Sequence, residues 1–137
     1  MENKGNVTVN PDGTFDYSLD INTIGFYSIA YSQENSVLLY LEPGSATEIH
    51  ADGSNMFDSY ELQEASDDSK FIKEYFSEYS KFSKNQQQLN SEMKALDFSA
   101  DRKRKELIEQ SEQNRSEFNE YKLAFIDSHA EAPMLAF

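Results

Sequence analysis

Ala65-Ser66-Asp67-Asp68-Ser69-Lys70-Phe71-Ile72-Lys73-Glu74-Tyr75-Phe76 divides the chain into two kinds of pattern. Before Ser66, short apolar stretches alternate with polar residues and are broken by turn residues. After it, apolar residues recur every three or four positions for about sixty residues, almost without a breaker. Ser66 is a good helix N-cap, and Asp67 and Asp68 then sit at the positive end of the helix dipole. From there Phe71, Tyr75, Tyr79, Phe82, Leu89, Met93 and Leu96 follow steps of three and four, with polar Gln86 filling the missing step. Ile72 and Phe76 widen the stripe near its start. This predicts a helix of roughly thirty residues, about 45 Å long at 1.5 Å per residue.

Asp97-Phe98-Ser99 reads as a turn, with Ser99 as the next N-cap. A second helix is expected over 100–128, with Arg104, Leu107, Ile108, Ser111, Arg115, Phe118, Lys122, Phe125 and Ile126 on its inner face. Similar lengths and a short connection predict an antiparallel helical hairpin. Its middle is poor in apolar residues: Gln86-Gln87-Gln88 and Asn90 face a stretch holding Ser111, Gln113 and Asn114. The far end is therefore expected to be thinly packed. Leu89, Met93, Leu96 and Phe98 form the apolar cluster of that end and are the candidate interaction surface, suited to a homodimer.

The first half predicts five to six strands. Asn6–Asn10 and Phe15–Ile21 are expected to form a hairpin around the Pro11-Asp12-Gly13 turn, where Pro presets φ and Gly accepts φ > 0. Phe15, Tyr17, Leu19 and Ile21 alternate with polar residues, as in a half-buried strand. Gly25–Tyr31 is the third strand, followed by a turn at Gln33-Glu34-Asn35. Val37–Leu41 is apolar on both parities and is expected to be central. Glu42-Pro43-Gly44-Ser45 turns into a fifth strand over Ala46–Ala51, which Asp52-Gly53-Ser54-Asn55 ends. Tyr60-Glu61-Leu62 is a candidate sixth. The fold class is thus α+β: a small, mostly antiparallel sheet over residues 1–65, a long helical hairpin over 66–129, and the start of a connector over 130–137. Pro133 suits a first helical turn.

Composition excludes several functions. The 137 residues carry 25 Asp and Glu against 12 Lys and Arg, for a formal net charge of −13. Nucleic acid and anionic membrane surfaces repel such a chain. The imbalance lies in residues 1–65, where Lys4 is the one cation. No cysteine is present, so thiol catalysis and Cys-ligated metals are excluded. No apolar run is long enough to span a bilayer. Met1-Glu2-Asn3-Lys4 leads straight into a polar turn region, without the apolar run of a signal peptide.

Catalytic, cofactor and metal constellations are not read from the chain. Glu48, His50 and Asp52 share one strand face, which reads as the solvated charged face of a strand rather than as a metal site. Phe15, Tyr17, Phe26, Tyr27, Tyr31 and Tyr40 suit a small aromatic core, or the wall of a sugar or peptide groove. Arg102-Lys103-Arg104-Lys105 fans out around a helix axis and reads as a solvated turn.

Asp12-Gly13-x-Phe15, Gly25-Phe26-Tyr27, Leu39-x-Leu41-x-Pro43-Gly44 and Glu48-Ile49-x-Ala51-Asp52 together resemble the N-terminal region of TlpA/ResA-like envelope thiol–disulfide oxidoreductases. Phe125-Ile126-Asp127-Ser128-His129 through Pro133-Met134-Leu135 is similar to the connector that precedes their thioredoxin-like domain. Two positions depart from the family: its Gly-Ser before the long helix is Ala65-Ser66 here, and the connector Asn is His129. The resemblance implies a periplasmic or cell-envelope protein. It further implies that this fragment is a non-catalytic accessory domain, truncated before the redox domain that would be its partner. The full-length protein would then be a thiol–disulfide oxidoreductase. A stand-alone glycan- or peptide-binding module is the alternative.

Overall fold

The structure, a computed structural model, describes residues 4–32 and 35–136. It is α+β: two small antiparallel sheets of two strands each, followed by a long helical pair. Of the expected turn Gln33-Glu34-Asn35, the first two residues lie outside the described residues, as do Met1–Asn3 and the terminal Phe137.

Four strands form among the described residues, rather than five or six. β1 (Gly25–Ser32) pairs antiparallel with β2 (Asn35–Leu41), with Phe26 opposite Tyr40 and Ile29 opposite Val37. β3 (Glu48–His50) pairs antiparallel with β4 (Glu61–Glu64). The two expected N-terminal strands are not formed. Their turn is: the Asn10 N–H donates to the Thr14 carbonyl at 2.7 Å, the Gly13 N–H donates to the Asn10 carbonyl at 2.9 Å, and Gly13 takes φ 86°. The arms on either side find no ladder partner, and alternation alone does not supply one.

Between β3 and β4 the chain makes one helical turn, α1 (Met56–Ser59). Asn35 organises it from β2: its Oδ1 accepts from the Met56 N–H at 2.6 Å and its Nδ2 donates to the Gly53 carbonyl at 2.7 Å. Asp58 ties α1 to the long helix, accepting from Ser80 Oγ at 3.0 Å and Lys84 Nζ at 2.7 Å.

β2 is covered on both faces, as its sequence requires, but it is not central in a sheet. Val37 and Leu39 face one cluster with Met56 and Tyr60, into which Ile29, Ile49 and Leu62 pack. Tyr40 faces a second with Ile72, Phe125 and Met134. One strand is thus a wall between two cores, and helices rather than further strands supply the second cover.

α2 (Asp67–Ala95) and α3 (Asp101–Ser128) form the hairpin. Ser66 caps α2 as expected, its Oγ accepting from the Ser69 N–H at 3.2 Å. Ser99 does not cap α3. The Asp97 carboxylate takes both its N–H at 2.9 Å and its hydroxyl at 2.6 Å, and the N-cap position falls to Ala100. Past α3 the chain turns back, and a 3₁₀ turn, Pro133–Ala136, seats Met134 in the second core.

Candidate functional site

The best-built polar arrangement is the junction of β2 with the start of α2. The Tyr40 N–H donates to Ser69 Oγ at 3.0 Å, and the Tyr40 carbonyl accepts from Ser69 Oγ and from Ser66 Oγ, each at 3.0 Å. Tyr40 and Ser69 are both fully buried. Two helix hydroxyls therefore do what a third strand would do, satisfying the outer backbone groups of β2 at that level. One residue away, the buried Asp68 carboxylate accepts from the Met134 N–H at 2.8 Å. The sequence marked Ser66 as a cap and Asp68 as a dipole partner. It gave no sign that Ser69 clamps a strand or that Asp68 receives the C-terminal turn, because both contacts span long stretches of chain.

The hairpin is zipped in two chemically different parts. Near the base the seam is aromatic: Tyr75, Phe82, Phe118, Tyr121 and Phe125 interlock, with Phe82 and Phe118 stacked at 4.6 Å and 8° between planes. Farther out it turns to amides. Gln86 Nε2 donates to Ser111 Oγ at 2.7 Å, and Asn114 Nδ2 lies 3.2 Å from Gln86 Oε1 and 3.3 Å from the Phe82 carbonyl. Asn85 Nδ2 donates to Asn114 Oδ1 at 2.9 Å. Gln86 thus holds the stripe position expected of it, paired with a buried Ser111. On α3 the inner face runs through Leu107, Ser111, Asn114, Phe118, Tyr121 and Phe125. The expected inner residues Ile108 and Ile126 are instead 42% and 49% exposed.

The four residues of the candidate interaction surface differ in exposure. Leu89 is buried in the seam beside Asn85, Gln110, Gln113 and Asn114, Met93 and Leu96 are half-buried, and Phe98 is fully exposed at the turn.

The histidines serve separate places. His50 Nε2 lies 2.9 Å from Glu48 Oε1, whereas the Asp52 carboxylate is occupied by the Ser54 N–H at 2.8 Å and hydroxyl at 2.6 Å. Those two hydrogen bonds hold Asp52 below the usual carboxylate range. Among the described residues no group of three His, Asp or Glu side chains is placed to hold a metal ion. His129 packs between Phe71 and Phe125, with ring centroids at 4.1 and 4.2 Å. Its Nδ1 is 2.8 Å from the Phe125 carbonyl and 3.0 Å from Ser128 Oγ. A carbonyl only accepts, so Nδ1 carries the proton, and the Ser128 hydroxyl turns to the same carbonyl at 3.0 Å. The adjacent Ser and His therefore close the end of α3 and do not form a nucleophile–base pair.

Among the described residues no helix is long and apolar enough to cross a membrane. Compared with protein-family models, with curated proteins and with solved structures, the chain finds no match.

Proposed function

We propose that this chain is a non-catalytic accessory domain that positions a partner domain, of the kind found at the N-terminus of envelope thiol–disulfide oxidoreductases. The supporting observation is the seat of the C-terminal turn. Met134 is buried beside Tyr40, Ile72 and Phe125, and its N–H is held by Asp68. The segment that resembles the family connector is thereby anchored to the β2–α2 junction, so a domain following it would take its orientation from the folded core.

The test is to read the coding sequence past Phe137 and assay the longer protein. A β-α-β pattern carrying Cys-x-x-Cys is expected, with insulin reduction by the long form and none by residues 1–137. A stop codon directly after Phe137, or turnover by the short chain, overturns the proposal.

A glycan- or peptide-binding module is the second reading, favoured by Phe26 and Tyr31, which are 44% and 75% exposed on one strand. It predicts a saturable change in tyrosine fluorescence with an oligosaccharide or extended peptide, lost in Tyr31→Ala.

A further inference from the structure

Among the described residues β1 is paired with β2 alone. The clamp on β2 reveals which of its backbone groups face outward. The Tyr40 N–H and carbonyl point at Ser69, away from β1. The Phe26–Tyr40 pair is therefore of the non-hydrogen-bonded kind, and by alternation so are Ser28–Leu38 and Ala30–Ser36. The N–H and C=O of Ser28 and Ala30 thus face away from β2, along the free edge. Among the described residues no hydrogen bond reaches them. The two edges of this sheet are unlike: serine hydroxyls cover β2 at Tyr40, whereas β1 at Ser28 and Ala30 is open.

Exposed edges are normally blunted by charge, by proline or by a bulge. β1 reads Gly-Phe-Tyr-Ser-Ile-Ala-Tyr-Ser and has neither charge nor proline. Its register runs unbroken from Gly25 to Ala30 and shifts only beyond it. The uncharged run extends over residues 21–32, within a half of the chain that holds eleven Asp and Glu and a single Lys.

We propose that the free edge of β1 pairs antiparallel with β1 of a second copy of this chain, joining two ladders into one four-stranded sheet about a two-fold axis at Ile29. Two observations select a second copy as the occupant. The open groups are self-complementary: with Ser28 opposite Ala30 of the partner subunit, one two-fold operation pairs the exposed N–H and C=O groups of both chains. The charge pattern agrees, because two chains of net charge −13 repel over most of their acidic halves, yet meet here along a neutral strand. The same register sets Tyr31, 75% exposed in the single chain, across from Tyr27 of the partner subunit. This gives a specific surface to the dimerising form of the accessory role. It is tested on residues 1–137 alone, so its failure leaves the downstream-sequence test of that role untouched.

Sedimentation equilibrium of the chain across a concentration series reads the association directly. A reversible dimer is expected. Ser28→Lys/Ala30→Lys places like charges across the seam on exposed side chains and should raise the dimer dissociation constant by about tenfold or more, with helix content by circular dichroism unchanged. The chain has no cysteine, so Ile29→Cys provides a second readout. Cross-axis residues of a non-hydrogen-bonded pair approach to about 4.5 Å between Cα atoms, within disulfide range. Ile29→Cys should oxidise to a covalent dimer much faster than Phe98→Cys, which is fully exposed at the hairpin turn. A monomer at every concentration overturns the proposal. So does a dimer that the double lysine variant leaves intact, or one that Phe98→Cys captures faster than Ile29→Cys.

Discussion

Ser69 Oγ lies 3.0 Å from both the amide nitrogen and the carbonyl oxygen of Tyr40, and both residues are fully buried. A single hydroxyl on the first turn of α2 thus accepts from one strand group and donates to the other. The period switch near Ser66 is in space the place where the helical half is fastened to the strand half.

Ser69→Ala should leave the buried Tyr40 N–H without its acceptor, at about 1–3 kcal/mol. Ser66→Ala removes the helix cap and a second donor to the Tyr40 carbonyl, and should cost about 1 kcal/mol. Urea unfolding of the two variants checks the order. A Ser69→Ala midpoint equal to that of the unmodified chain would show that the clamp contributes nothing to stability.

The two sides of β2 should respond separately to truncation. Leu39 is 2% exposed in the core with Met56 and Tyr60, so Leu39→Ala should cost about 2–5 kcal/mol. Leu38 is half-buried beside the other core and should cost less, yet well above a surface change. Replacement of either by Asp should prevent folding, as thermal unfolding followed by circular dichroism will show. A neutral Leu38→Asp would mean that the helical cover is loose.

These elements show what the sequence could carry. Ser66 as cap, the apolar stripe of α2 and the two-sided burial of β2 were all legible, because each is set by spacing within one segment. The identity of the second cover was not, since a helix and a strand leave the same apolar mark on the strand they cover. Phe15–Ile21 has strand periodicity, but a ladder needs a partner that periodicity does not specify. α1 is one turn of four residues, too short to show a period. Ser99 reads as an N-cap until the Asp97 carboxylate, two residues away, claims its hydroxyl. Long-range side-chain contacts, Asp68 with Met134 and Asp58 with Lys84, leave no local trace.

Alkaline pH should destabilise the fold. Burial pushes the Tyr60 phenol up to about 12. Burial, reinforced by the carboxylates of Glu74 and Glu78, pushes Tyr121 up to about 12 as well. An unfolded tyrosine titrates at about 10. The folded values are the higher ones, so this contribution is complete below about pH 10 and lost as pH rises through about 12. Urea midpoints should hold level to about pH 10 and then fall, and Tyr60→Phe should flatten part of the fall. A midpoint unchanged up to about pH 12 would contradict the burial of both phenols.

The amide seam should be held by a few side chains. Gln86 bonds Ser111 and Asn114 across the hairpin, whereas Gln87 is exposed. Gln86→Ala strands the buried Ser111 hydroxyl and should cost about 1–3 kcal/mol, against a change within about 0.5 kcal/mol for Gln87→Ala. Equal unfolding midpoints for the two variants would mean that water replaces Gln86 at no cost.

The turn end of the hairpin should open well before the molecule unfolds. Leu89 and Leu107 are the last buried apolar residues along the seam, at 7% and 0% exposure. None of residues 90–106 is buried, so little apolar area opposes separation of the helix ends there. Val37–Leu41, walled by two cores, has no such route. Amides of residues 94–102 should therefore exchange hydrogen far faster than those of 37–41, at a cost well below global unfolding. Leu107→Ala, at about 2–5 kcal/mol, removes the last apolar plug. It should spread fast exchange inward to the Gln86 level while leaving the ranking of 37–41 unchanged. Equal protection at the turn and at β2 in a sample sedimenting as monomer would refute this. The polar seam would then hold the helix ends as firmly as the two cores hold the strand.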